Sequence, residues 1–214
     1  LLFAAVALPE LAFSMGEAGM IGGPGAVGWR LNALNQFAFS GEAFDFMVSN
    51  LRLLPEHLLR FLTYPFVHGS FTSTLFACVI LLAMGKLVGE VMGGGAVILI
   101  FVLCGVFGAL VFGVVTEQPW LVGAYPSVYG LIGTFTFLYW QRQVVSGGPQ
   151  IQAFQLIGVL MGIQLIFGAL FQTGYAWVGE LAGFVAGFAL AAFVMPGGMG
   201  RVLSVLRRRY RRTA

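Results

Sequence analysis

Gly123-Ala124-Tyr125-Pro126-Ser127-Val128-Tyr129-Gly130-Leu131-Ile132-Gly133 and Gly179-Glu180-Leu181-Ala182-Gly183-Phe184-Val185-Ala186-Gly187 are the two stretches that decide the fold. Each opens an apolar run, and each repeats glycine at three- or four-residue spacing. That spacing puts Gly179, Gly183 and Gly187 on one helix face. A stripe of small residues lets two membrane helices approach until their backbones touch, so the stripe reads as a packing surface whose partner is the helix of Gly130 and Gly133. Glu180 is the only charged residue between Arg142 and Arg201. A charge at membrane depth costs about 2.5–3.5 kcal/mol on insertion scales and marks function by default. Alternatively, Glu180 follows Trp177 closely and can sit in a first helical turn near the headgroups, favoured by the helix dipole. Either way it lies on the glycine stripe and can point inward.

The rest of the chain agrees with a membrane reading. Of 214 residues, 59% are hydrophobic and 9% charged, against roughly 25% charged in soluble domains. Mean hydropathy is +0.92. A soluble domain of this length could not bury so much apolar surface. A spanning helix needs about 20 mostly apolar residues, and five windows approach this: Phe71 to Val91, Ala96 to Val115, Pro126 to Trp140, Phe154 to Phe171 and Trp177 to Val194. The short third window suits a helix that starts below the surface in a protein-lined cavity. Leu1–Ala7 reads as the end of a truncated first helix, with a signal-peptide core as the competing reading. The expectation is an all-α bundle of six spans.

Four segments follow: a remnant of the first helix over 1–14, an outer loop over 15–60, a core over 61–195 and a basic tail over 196–214. The loop is long and rich in Gly and aromatics, which suits short amphipathic helices at a membrane interface. The tail carries Arg201, Arg207, Arg208, Arg209, Arg211 and Arg212, and Arg142 precedes the fourth window. By the positive-inside rule both face the cytoplasm, so with six spans the N-terminus is cytoplasmic and the long loop faces outward. The tail also suits anionic lipid. Membrane lipid is an expected partner and nucleic acid is not. Cys78 and Cys104 lie in apolar runs and read as small packing residues. No metal-ligand cluster or phosphate-cradling loop is visible, and no cofactor is expected.

Arg60-Phe61-Leu62-Thr63-Tyr64-Pro65-Phe66-Val67-His68-Gly69, with Gly85 and Glu90 beyond it, supplies a third stretch. In order and spacing the three resemble the rhomboid family of intramembrane serine proteases. The first resembles the family's Gly-x-Ser-Gly-x-x-x-Gly, the second its His-x-x-Gly-x-x-x-Gly, and the third its Arg, Thr and His-Gly before the second helix. The family's Trp before Arg60 is Leu59. The resemblance covers about residues 60 to 195 and implies a rhomboid-like bundle.

Over the catalytic positions the resemblance fails. Rhomboid chemistry needs a serine activated by a histidine and donors aimed at the oxyanion. Counted from Gly130, the serine position holds Tyr125; counted from Gly183, the histidine position holds Glu180. The oxyanion donors of the second helix fall on Ser73 and Ala77. The residue after the serine position is Pro126, which has no N–H. Ser127, the fallback nucleophile, lies two residues on and so turns about 200° around the helix; neither histidine, His57 or His68, falls in the last three windows. His68 reads as structural, bonded to the outer loop, beside Arg60 as a further polar core residue. The resemblance implies a degenerate, catalytically inactive member, binding transmembrane helices of clients or serving as a subunit of a membrane complex, in a bacterial inner membrane. The alternative is an active intramembrane serine endopeptidase with an unorthodox site. If the family backbone is kept, Tyr125 and Glu180 should meet, with the phenol as donor.

Overall fold

The computed structural model of the chain describes residues 1–117, 119–171 and 174–194. The basic tail expected over 196–214 lies outside them. The described part is almost all helix, as expected for a rhomboid-like membrane bundle. Helix α1 (Leu2–Glu17) is followed by three short helices, α2 (Trp29–Phe37), α3 (Gly41–Asn50) and α4 (Pro55–Thr63). Then come α5 (Phe71–Met92), α6 (Gly94–Val115), α7 (Tyr125–Ser146), α8 (Gln155–Phe171) and α9 (Ala176–Val194). Among the described residues three helices, α5, α6 and α9, are long and apolar enough to cross a membrane. α7 has the same length as α5 and α6, but carries Ser127, Thr134, Thr136, Gln141 and Arg142. It runs beyond the window ending at Trp140 because polar residues of good helix propensity continue it, until Gly147 stops it in a left-handed conformation (φ 73°).

α7 is the centre of the bundle. Every residue from Pro126 to Thr134 is buried, and α7 packs most extensively against α9 and α6. Such closeness follows from missing side chains. A Cβ on Gly183 would strike the carbonyl oxygen of Pro126, one on Gly187 that of Gly130, and one on Gly133 that of Phe184. Gly130 leaves room for the Cys104 side chain. Both cysteines are free and buried, serving as small apolar residues of the core. Only part of the stripe faces α7, however: Gly179 meets Gly108 of α6, whose carbonyl oxygen lies 3.2 Å from where a Cβ would be. α1 packs along α5, with Val6 in a cluster that includes Ala77, Cys78 and Leu81.

Residues 15–60 fold against this core rather than forming an open loop. Phe39, Phe44, Phe61, Tyr64 and Phe112 pack as one cluster; the Phe39 and Phe61 rings meet edge-on at 4.9 Å. A two-residue strand, β1 (Phe39–Ser40), pairs antiparallel with β2 (Trp120–Leu121) in the α6–α7 connection. Ser40 and Ser70 cap α3 and α5 by accepting the N–H of Ala43 and Ser73 at 3.2 Å each, which satisfies donors the helix itself leaves open. Arg60 donates to the carbonyls of Ala38 and Asn35 at 3.3 and 3.0 Å, and Thr63 donates to Phe37 O at 3.0 Å. These bonds fix α4 to the end of α2.

Candidate functional site

The site lies at the N-terminal end of α7, where the connection from β2 meets residues 64–68. Gly123 takes φ 87°, a conformation that favours glycine, and its missing Cβ makes room for the His68 ring. Its N–H donates to Tyr64 O at 3.1 Å. The next N–H, of Ala124, donates to His68 Nε2 at 3.1 Å. Tyr64 is fully buried and its hydroxyl donates to Gly105 O on α6 at 2.7 Å. Residues 64–68 therefore hold the start of α7 by two bonds, with a third to α6, and set where Tyr125 emerges. His68 is bonded as a structural residue, although its side chain grips the α6–α7 connection. Burial of His68 (2% exposed) pushes its imidazole down to about 4, so it is neutral at neutral pH.

Tyr125 is half-buried, and its hydroxyl donates to the carbonyl oxygen of Ser73 on α5 at 3.0 Å. The sequence reading directs that proton to Glu180; the structure gives it an acceptor on α5. Tyr125 and Ser73, which the sequence resemblance aligns with the family's serine and oxyanion positions, are thus joined by a hydrogen bond. Glu180 is 5% exposed and engaged, so it points into the bundle. Ala77 is fully buried in the α1–α5 cluster and has no side-chain donor. Ser127 is likewise fully buried. Among the described residues its Oγ has no hydrogen-bond partner, and it lies where a Cβ on Gly105 would be. It faces α6, away from Tyr125, in keeping with the turn of about 200° between positions i and i+2.

A second polar group beside the site was not singled out from the sequence. Glu10 on α1 is 4% exposed. Arg30 holds it by two bonds of 2.7 Å, Nη1 to Oε2 and Nη2 to Oε1. Thr74 of α5 and Ser14 add bonds of 2.8 and 2.9 Å. Arg30 also donates to Glu17 at 2.8 Å and to His68 O at 3.3 Å. Hydrogen bonds donated to Glu10 and then to Glu17 push the guanidinium pKa still higher, and the same contact lowers that of the Glu17 carboxyl. This bidentate pair joins α1, α2, α5 and the His68 segment. Glu10 is the only charge in the first sixteen residues, the same signal that picked out Glu180.

Comparison with curated proteins gives no match. The family model of the rhomboid domain matches residues 55–197, more than half of the chain and all of the core from α4 to α9. With the bundle, the glycine contacts around α7 and the bonded His68 segment already in place, the chain belongs to the rhomboid family.

Proposed function

We propose that this rhomboid-family membrane protein is catalytically inactive and uses its fold to bind transmembrane helices of client proteins or to serve as a subunit of a membrane complex. The observation that carries the reading is the Tyr125–Ser73 bond. In it the backbone of α5 holds the phenol of Tyr125, the residue that the sequence resemblance aligns with the family's nucleophile. Its neighbours support the same reading: Pro126 offers no N–H to an oxyanion, Ala77 offers no donor, and Ser127 is sealed against α6. A serine hydrolase loses several orders of magnitude in rate when one member of its machinery is removed, and here each of the usual side chains is replaced. Both termini are proposed to lie in the cytoplasm, in a bacterial inner membrane.

A fluorophosphonate serine probe on purified protein tests the reading. No labelling is expected, and Ser127→Ala should leave the cellular role intact. Labelling that disappears in Ser127→Ala would establish the alternative, an intramembrane endopeptidase with an unorthodox nucleophile. Crosslinking in native membranes, followed by identification of the attached transmembrane segments, tests the binding role.

A further inference from the structure

A cavity of about 660 Å³ opens between α3, α4 and α6. Met47 and Val48 of α3, Leu58 and Leu62 of α4, and Val106 and Leu110 of α6 line it. α6 is long and apolar enough to cross a membrane, and Val106 and Leu110 lie in its C-terminal half. An α6 that crosses a bilayer would put this cavity at the depth of one leaflet's hydrocarbon. Two further lining residues, Leu51 and Leu53, flank Arg52 at the corner between α3 and α4. Both leucines are highly exposed, at 91% and 74%. Leu51 takes φ 50° to end α3, a conformation uncommon for a non-glycine residue. Arg52 is exposed, and among the described residues its guanidinium makes no ion pair. Arg60, by contrast, is committed to backbone carbonyls.

We infer that this cavity holds one acyl chain of a bilayer glycerophospholipid, whose phosphate is bound by Arg52. Arg52 does not itself line the cavity but stands in the chain between two residues that do, and an exposed cation beside an apolar cavity complements one anionic headgroup on one apolar tail. Arginine suits the phosphate by its planar fork of donors, and its stem can follow apolar surface while the charge stays at the interface. A partner helix fits less well. With side chains it is about 10–12 Å across, so little more than one turn would fill this volume, whereas an acyl chain enters along its length. The lipid would complete the contact of α3 and α4 with α6, replacing protein atoms the cavity lacks.

The test uses the full chain in nanodiscs containing phosphatidylglycerol with a diazirine in its acyl chain, followed by peptide mapping. Crosslinks are expected on segments 47–62 and 106–110, several-fold above those on the lipid-facing side of α5 around Val79. Leu62→Trp and, separately, Leu110→Trp should fill the cavity and lower them several-fold, provided the melting temperature is kept. Arg52→Gln should weaken retention of the phospholipid in native mass spectrometry but not that of a diacylglycerol with the same chains. Labelling equal to that around Val79, or unchanged by both tryptophans, overturns the proposal. So does labelling in nanodiscs that is absent in native membranes, which would mean that a protein segment covers the cavity there.

Discussion

Arg30 and Glu10 show how much a single side chain decides here. A buried ion pair contributes little net stability, but removing one partner strands the other charge and costs roughly 3–5 kcal/mol. Arg30 keeps 11% of its side-chain exposure, so Arg30→Met should cost about 3 kcal/mol, near the lower end of that range. Adding Glu10→Gln should recover part of the loss, because the stranded charge is then gone. Thermal unfolding of the single and double variants in detergent measures both, and a double variant no better than the single would show that lost packing, not charge, is responsible. His68 gives a pH signature in the same network. Its imidazole is pushed down to about 4 from about 6.5 in an unfolded chain. Below about 6.5 the unfolded state takes up a proton that the folded state refuses, so stability is full above that pH and falls as pH drops toward 4, by about 1.4 kcal/mol per unit. The carboxyl of Glu17, held low by Arg30, adds its own loss only as pH falls below the usual carboxylate range. A pH series of unfolding midpoints should therefore show a slope between about 6.5 and 4 that His68→Gln removes. A slope kept in that variant would assign it to another group.

At the scale of the helix, the glycine stripe makes the sharpest demand. A side chain at Gly183 must pass through the carbonyl of Pro126, and backbone cannot step aside as a side-chain tip can. Overpacking costs typically 1–3 kcal/mol, so Gly183→Leu should lower the melting temperature more than substitution of an exposed residue such as Leu31 in the segment 15–60. Gly158→Ala on α8 meets nothing within 4 Å and should be tolerated. Equal melting of Gly183→Leu and the parent protein would show that the two helices are not in contact. The stripe was legible in the sequence because spacing alone sets a helix face. Its partners were only half legible: Gly183 and Gly187 meet α7, but Gly179 meets α6. Periodicity names the face and not the neighbour, and crossing helices hand a long face from one neighbour to the next. The windows for α5 and α6 were legible for a similar reason, since apolar length is what a bilayer selects. The folding of residues 15–60 onto α6 was not, because it depends on contacts such as Phe39 with Phe112, far apart in sequence. Glu10 was legible in principle, as a lone acid in an apolar run, but its role needs Arg30, twenty residues away on another helix.

Across the whole molecule, the sequence resemblance aligns the family's chemistry with residues on three helices: Tyr125 on α7, Glu180 on α9, and Ser73 and Ala77 on α5. Returning one part should therefore not return the activity. The double replacement Tyr125→Ser with Glu180→His restores a serine and a histidine at the family's positions. It also removes the phenol that donates to Ser73 O, at a cost of about 0.5–1.5 kcal/mol for one hydrogen bond, which a folded bundle should survive. Ser73, Ala77 and Pro126 remain, so neither of the family's usual α5 donors and no N–H after the nucleophile would serve the oxyanion, and the Ser73 hydroxyl alone would have to. Loss of one such donor alone costs about 10²–10³ in rate. The double variant is expected to fold, to resist a fluorophosphonate probe and to leave a transmembrane reporter uncut. Supplying the missing donor by Ala77→Asn meets a further obstacle, because Ala77 is fully buried beside Val6 and Cys78. A larger polar side chain there both overpacks the α1–α5 contact and buries an amide away from water. That triple variant should melt lower than the double without gaining probe reactivity. Covalent labelling of the double variant at the serine introduced by Tyr125→Ser would refute this, showing that the bundle still holds an oxyanion by groups other than those the family uses.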